Sequence, residues 1–340
     1  MKIGFYNPYF DSMSGGERYV LTLASHWSRL HDVVLFWDDP RIVSDSEKRL
    51  HIDLSRVGTV ENVFKTKNVF KKLAVSSEYD LLFFLTDGSV PTTFARRNIL
   101  HFQVPFASVD VHPIKLTRFG AIVCNSRFTK EHIDPRIGKR SLVIYPPVEP
   151  IRNAQSKKKN IILSVGRFHP VKKQDLLIEI FRKAVTGLPD FTLVLAGGLQ
   201  SADKEYFESL RQSAKGLPVQ FFPNVPFDTL TRLYNESLMY WHAAGYGQTK
   251  PEHMEHFGIT TVEAMSAGCI PVVYNGGGLP EIIQTNLWNT PDECLAITQQ
   301  IISHKATHME LRKKMITQSK KFSVETFIQA FDTLFEDITR

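Results

Sequence analysis

The chain has 340 residues, 43% of them hydrophobic, long and apolar enough for two ordinary domains with full cores, which excludes a disordered or fibrous protein. Lys+Arg 41 against Asp+Glu 35 gives a net charge of +6 and a pI near 9.1. This mild basicity suits anionic small ligands, an anionic membrane surface or nucleic acid equally well.

Lys2-Ile3-Gly4-Phe5-Tyr6 reads as a strand starting at once after Met1, which leaves no room for a signal peptide. No window approaches the roughly 18 apolar residues that a membrane span needs, so any membrane contact is expected to be peripheral. Further strands are predicted near Val33 to Trp37, Leu81 to Leu85, Ile99 to Phe102 and Ala121 to Cys124. The helix after the first strand carries Val20, Leu23, Ala24 and Trp27 on one face. Phe64, Lys65, Lys67, Val69, Phe70, Lys71, Lys72 and Leu73 mix bulky apolar with basic residues. They read either as a surface helix or as a segment docking onto anionic lipid.

Tyr145-Pro146-Pro147-Val148-Glu149-Pro150 and the polar run Asn153 to Asn160, with Lys157, Lys158 and Lys159, form a linker signature. A second block then repeats the pattern, with strands near Ile161 to Val165, Thr192 to Leu195, Val219 to Phe222, Leu238 to Trp241 and Ile270 to Tyr274. Strand and helix alternating in this way mark an α/β protein with parallel, doubly wound sheets. The expected organisation is one Rossmann-like domain over 1–150, a second over 151–322, the two facing across a cleft, and a last helix over 323–340 returning toward the first domain. Phe327, Ala330, Phe331 and Leu334 share one face of that helix. Cys124, Cys269 and Cys294 show no metal-ligand spacing and read as reduced core residues of a cytoplasmic protein.

The richest stretch runs from Glu255-His256-Phe257-Gly258-Ile259-Thr260-Thr261-Val262-Glu263 to Val273. Gly258 permits a sharp turn, Ile259, Val262 and Met265 fall at helical spacing, and Gly268 ends the helix. The first turn of such a helix has unpaired N–H groups and suits an anion such as a diphosphate. Glu255 precedes the helix and Glu263 lies one turn inside it, about 40° around the axis from Ile259. A carboxylate beside a diphosphate would be repelled, so each is better placed to accept from neutral hydroxyls; a solvated loop residue and a helix-surface residue are the plain alternatives. A nucleotide sugar carries hydroxyls on both sides of its diphosphate.

Asn275-Gly276-Gly277-Gly278-Leu279-Pro280-Glu281 reads as a second glycine turn into a helix, at the sheet edge where ligands bind in open α/β folds. Gly166-Arg167-Phe168-His169-Pro170-Val171-Lys172-Lys173 follows the first strand of the second block, with Arg167 and Lys172 suited to phosphate oxygens. Fixed cations there would stabilise a leaving diphosphate without a metal. In the first block, Ser14-Gly15-Gly16-Glu17 allows a close backbone approach to a ligand or makes a plain tight turn. His101 ends a strand and is placed at the cleft rim, either as a structural histidine or as a functional one. No G-x-G-x-x-G fingerprint occurs, which weighs against a nicotinamide dehydrogenase.

Together these residues resemble the family 4 glycosyltransferases of the GT-B fold, which transfer sugars with retention of configuration. The likeness covers essentially the whole chain and lies chiefly in Glu255 and Glu263, in Gly166-Arg167 with Lys172, and in Gly276-Gly277-x-x-Pro280-Glu281. It implies Arg167 and Lys172 on the diphosphate, Glu255 on the donor hexose and Glu263 on the ribose. Phe257, Gly258, Ile259 and Thr260 would contact the donor, the last three through their backbone. Asn224 and Val225 would lie by the base, Gly15 and Gly16 would close over the diphosphate, and His101 would stand beside the transferred sugar. His101, Glu255, Arg167 and Lys172 make up the implied catalytic set, with no metal or other cofactor. Lys173 departs from the glycine many members carry, and the insertion from Gly245 to His253 has no assigned role.

Segments such as His101-Phe102-Gln103-Val104-Pro105 look like those of mannosyltransferases acting on lipid-linked oligosaccharides, which implies a GDP-mannose donor and a saccharide or lipid-linked acceptor. A UDP-sugar donor (glucose, galactose or N-acetylglucosamine) and a non-catalytic sugar- or lipid-binding GT-B protein are the other readings. No helix-turn-helix, zinc or RNP-like pattern supports nucleic-acid binding. Nothing in the sequence sets the oligomeric state.

Overall fold

Strands of a parallel sheet covered by helices on both faces must be apolar on both faces, and the runs of the first block fold accordingly. The computed structural model describes residues 1–12, 15–110, 112–151, 157–188 and 190–340; Ser14 and the stretch Asn153 to Ser156 lie outside them. The first of two units comprises Met1–Pro147 and Val324–Arg340. Its strands are β1 (Lys2–Tyr6), β2 (Asp32–Phe36), β3 (Val57–Val60), β4 (Leu81–Leu85), β5 (Arg97–Phe102), β6 (Ala121–Cys124) and β7 (Ser141–Val143). They form one parallel sheet in the order β3-β2-β1-β4-β5-β6-β7.

The helix Val324–Thr339 belongs to this unit. Phe327, Phe331 and Leu334 are buried with Tyr19, Trp27 and Phe83, and Phe331 stands edge-on to Tyr19 at 5.8 Å. Polar bonds fix the register of the packing: Asp332 takes His26 Nε2 at 2.9 Å and Trp27 Nε1 at 3.2 Å. Arg97 reaches the carbonyls of Ile338 and Thr339.

The second unit is Val148–Ser323, with β8 (Lys159–Val165), β9 (Thr192–Gly197), β10 (Val219–Pro223), β11 (Ser237–His242), β12 (Ile270–Tyr274) and β13 (Leu287–Trp288). These too are parallel, in the order β10-β9-β8-β11-β12-β13. Val148, Glu149 and Pro150 fall in this unit, not before it, because the Val148 N–H donates to the Phe322 carbonyl at 2.9 Å. Nor do Lys158 and Lys159 form a linker. Lys158 donates to the carbonyls of Tyr234 and Ala267 at 3.0 and 2.8 Å, and Lys159 opens β8.

Two further expectations are corrected. The 64–73 segment is not one surface helix: Phe64 is buried in the core and Lys65 pairs with Asp38 at 3.1 Å, while the helix Val69–Ser76 leaves Phe70 85% exposed. His101 is not at a rim either. The strand β5 is interior to its sheet, and the imidazole lies fully buried, stacked on Tyr19 at 4.0 Å with Nδ1 at 3.1 Å from the Val123 carbonyl. A ring so enclosed is a core residue of the first unit and not the rim catalytic group that its place near a strand end suggests.

All three cysteines are buried and unpaired. Among the described residues no helix is long and apolar enough to cross a membrane.

Burial holds the His101 imidazolium range down to about 3, against an ordinary 6.5. The unfolded chain therefore takes up a proton at this residue below pH 6.5 while the folded unit does not. Stability is expected to fall by up to about 1.4 kcal/mol per pH unit between 6.5 and 3 from this group. Denaturant unfolding across that range should show the slope in the wild type and a flatter one in His101→Gln.

Candidate functional site

In the second sheet the chain runs outward from β8 to β9 and β10, then crosses to β11 on the other side and continues to β12 and β13. The loops after β8 and β11 therefore diverge at the carboxyl ends of the strands, and such a switch point opens a crevice. The loop after β8 carries Arg167 and Lys172, and β11 ends on His242 and leads to Glu255. The structure brings Lys172, His242 and Glu255 together. Lys172 Nζ donates to Glu255 Oε2 at 2.7 Å, and His242 Nε2 lies 3.4 Å from the same oxygen. Burial pushes the Glu255 carboxyl up, but the Lys172 ammonium and the His242 ring outweigh it and hold the group well below the usual carboxylate range. Glu255 is thus an ionised acceptor.

The helix after Glu255 spans Ile259–Ser266, with Gly258 before it at φ 113. Thr260 accepts a hydrogen bond from Tyr240 at 2.8 Å through Oγ1, and Glu263 accepts one from Tyr234 at 2.8 Å. Burial, then the nearby Glu263 charge, drives the Tyr234 hydroxyl well above its ordinary value, so it stays a neutral donor. Ile259, Thr260 and Glu263 are half-buried, whereas Phe257 is buried with its ring 5.3 Å from that of Phe322. The Phe257 side chain is therefore a packing residue, and only its backbone remains for a ligand.

The glycine turn Gly276-Gly277-Gly278 is expected at a ligand edge, yet its nearest neighbour is the chain that bears the carboxylate. The Gly278 N–H donates to the Glu255 carbonyl at 2.8 Å, and a Cβ on Gly277, at φ 61, would lie 2.1 Å from that carbonyl oxygen. These glycines let two backbones touch, and that contact sets the height of Glu255.

Arg167 is exposed and makes no ion pair among the described residues. Its backbone carbonyl is held by Gln174 Nε2 at 2.8 Å. A methyl group on Gly198 would reach both the Arg167 stem at 3.7 Å and the Asn224 amide at 4.0 Å, so the basic turn and Asn224 adjoin. Asn224, which follows β10, grips Leu199 through Oδ1 and Nδ2 at 2.9 and 3.1 Å and donates its N–H to the Gly197 carbonyl at 2.8 Å, so its side chain and its amide are both committed. Lys173 occupies the left-handed region at φ 57, which explains why glycine suits that position.

In the first unit Gly15 and Gly16 begin the helix Gly15–Trp27, and the side chain of Gln103 lies over Gly16. The turn depends on Glu17, which the sequence did not single out: it is buried and accepts from Asn7 Nδ2 at 2.8 Å and Ser12 Oγ at 2.5 Å. His242, Tyr234 and Tyr240 were missed as well. The signal for His242 was available, a polar residue closing an apolar strand at the carboxyl edge. The insertion Gly245 to His253 folds back within its unit, the Tyr246 ring standing 5.4 Å from Tyr274 and 5.5 Å from Trp288.

Residues 148–322 match the family model of the glycosyl transferases group 1. The chain is 29% identical over 238 residues to the GDP-Man:Man(3)GlcNAc(2)-PP-Dol alpha-1,2-mannosyltransferase of Dictyostelium discoideum, covering 62% of this chain and 46% of the relative. It is 28% identical over 248 residues to the Homo sapiens protein of the same name, covering 63% and 49%. The chain thus spans about half the length of the curated relatives it matches. Among solved structures, a glycosyltransferase from Rickettsia africae superposes with a TM-score of 0.81 at 17% identity, covering 100% of this chain and 98% of that one. The shared fold is GT-B, with two Rossmann-like parallel-sheet domains.

Two glycine replacements separate backbone strain from displacement of Glu255. Gly277→Ala combines a left-handed φ with a carbonyl in the way and is expected to cost roughly 3 kcal/mol or more. Gly247→Ala, at φ 72 with open space around it, should cost only about 1 kcal/mol. Denaturant unfolding of both variants measures the difference; equal losses would show that the Glu255 contact is slack.

Proposed function

The chain belongs to the glycosyl transferases group 1, and from that premise we propose that it moves a hexose, mannose from GDP-mannose, onto a hydroxyl of a lipid-linked saccharide. The observation that carries this reading is the convergence of Lys172 and Glu255, from the two sides of the switch point, on one ion pair beside a helix start. Arg167 and Lys172 take the diphosphate, Gly258, Ile259 and Thr260 offer backbone amides, Glu255 accepts from the hexose and Glu263 from the ribose. Asn224 and Val225 meet the base through their backbone. Positive charge fixed by Arg167 and Lys172 supplies what a metal would otherwise supply to the leaving group. With both acids engaged in binding, the acceptor hydroxyl attacks the sugar's anomeric carbon from the face the diphosphate leaves, the bond from that carbon to the diphosphate oxygen breaks, the hydroxyl proton passes to the leaving diphosphate, and configuration is retained. The names of the Dictyostelium and human relatives support the GDP-mannose donor and the lipid-linked acceptor.

The reading is tested by incubating the protein with GDP-, UDP- and ADP-sugars and following both the melting temperature and sugar transfer. GDP-mannose at a hundred times its Kd should add about 2.7 kcal/mol of apparent stability, and Glu255→Ala should lower kcat by about a hundredfold or more. A shift with a UDP-sugar and none with GDP-mannose would reassign the donor. Donor binding with no transfer from any sugar would favour a binding protein.

The acceptor side of the proposal is peripheral contact with anionic lipid at a cytoplasmic membrane face. Phe70 is 85% and Ile114 69% exposed, with Val69 and Phe94 also open and Lys72, Lys115 and Arg118 among them. Burial, and after it the Lys115 charge, holds the Lys72 ammonium below its usual range. Each such cation near an anionic bilayer contributes about 1 kcal/mol. Flotation with phosphatidylserine vesicles should recover the wild type, and Phe70→Ser with Ile114→Ser should release it. Equal recovery on purely zwitterionic vesicles would refute the charge complementarity.

A further inference from the structure

We infer that His242 is the positioning residue that keeps Glu255 aimed at the donor sugar when a diphosphate draws Lys172 away. The inference rests on the proposed diphosphate role of Lys172. Glu255 Oε2 has two partners of unequal rigidity. Lys172 comes from the short turn Pro170–Lys172, and its side chain is 29% exposed. His242 closes β11, a strand paired on both sides, where it stands in register with Val273, and its side chain is 5% exposed. An ammonium on a four-carbon stem re-aims readily, whereas an imidazole anchored to the middle of a sheet does not.

A bound diphosphate puts negative charge where Lys172 points and competes with Glu255 for the ammonium. Without a second donor the carboxylate would be both unpaired and repelled, and would swing away from the sugar. His242 Nε2–H meets that need, since its 3.4 Å approach shortens once the ammonium no longer shares Oε2. Its Nδ1 has no hydrogen-bond partner among the described residues and so does not hold the ring in another orientation. The other polar rings nearby are committed or face elsewhere: Tyr240, 6.4 Å away, donates to Thr260, and His256 is held by backbone of the 251–252 turn.

Two polar replacements of similar bulk isolate the bond. His242→Gln sets an amide N–H near the place of Nε2, and His242→Asn sets one near Nδ1. GDP affinity by calorimetry, melting temperature, and kcat and KM with GDP-mannose and UDP-glucose are measured for the wild type and both variants. The Asn variant should lose about tenfold or more in kcat, since a contact group misplaced by an ångström costs up to about a hundredfold. It should keep its GDP affinity, because Lys172 is untouched, and the Gln variant should recover most of the loss. Equal kcat in the two variants, or a fall in GDP affinity parallel to kcat, would overturn the inference. A wild type that binds neither GDP nor UDP would instead bring down the diphosphate reading, and this inference with it.

Discussion

Lys172 and Glu255 meet across the point where the second sheet changes direction, and the site is organised around that single ion pair. Each partner alone would be a poorly hydrated charge in a crevice, with a cost that grows with its enclosure. Joined, they satisfy each other electrically while keeping the carboxylate ionised. The pair also links two loops whose conformations are fixed separately. The Gln174 bond to the Arg167 carbonyl shapes one, and the close approach of Gly277 and Gly278 to Glu255 and His256 shapes the other. Loss of either backbone constraint would move one end of a contact that tolerates little movement.

The strands that were legible in the sequence were those with the strongest reason to be apolar. Interior strands such as β4 and β11 are covered on both faces, so their runs Leu81–Leu85 and Ser237–His242 stand out from their surroundings. The strands that were missed are edges. Val57-Gly58-Thr59-Val60 and Ser141-Leu142-Val143 have a neighbour on one side only, and β13 is two residues long. With less surface to bury, they carry polar residues and glycine that read as turn. The crossing at Val148 and the lysines that follow were hidden for a related reason, since capping of distant carbonyls by Lys158 leaves no periodic trace.

Within the site, residue type was more legible than partnership. Glu255, Glu263, Arg167 and Lys172 could be singled out by their positions around glycine turns, and the structure sets Glu255, Arg167 and Lys172 at strand carboxyl ends and Glu263 in the helix that follows. What spacing could not show is that Lys172 and Glu255 touch, or that Glu263 is met by a tyrosine from the helix Phe227–Glu236. His101 and Phe257 mark the opposite limit. His101 sits near the end of a strand and Phe257 just before a helix, places where a polar or aromatic side chain suggests ligand contact. But which way a side chain faces depends on strand parity and on what covers that face, and the covering helix Gly15–Trp27 puts Tyr19 against His101.

The net charge, read alone, left anionic ligand, membrane and nucleic acid undivided, and the structure shows why a sum was the wrong quantity. Lys158 is consumed in capping carbonyls, Lys172 is neutralised by Glu255, and Lys65 and Lys71 are paired with Asp38 and Glu61. Arg167 instead projects, unpaired among the described residues, beside the crevice, and Lys115 and Lys72 crowd each other beside exposed Phe70. An unpaired guanidinium at a switch point presents a planar fork for phosphate oxygens, whereas crowded ammonium groups around open aromatic surface present a diffuse field with an apolar centre. The same excess of basic residues thus divides into two arrangements, one directional and one diffuse, according to what each cation already holds.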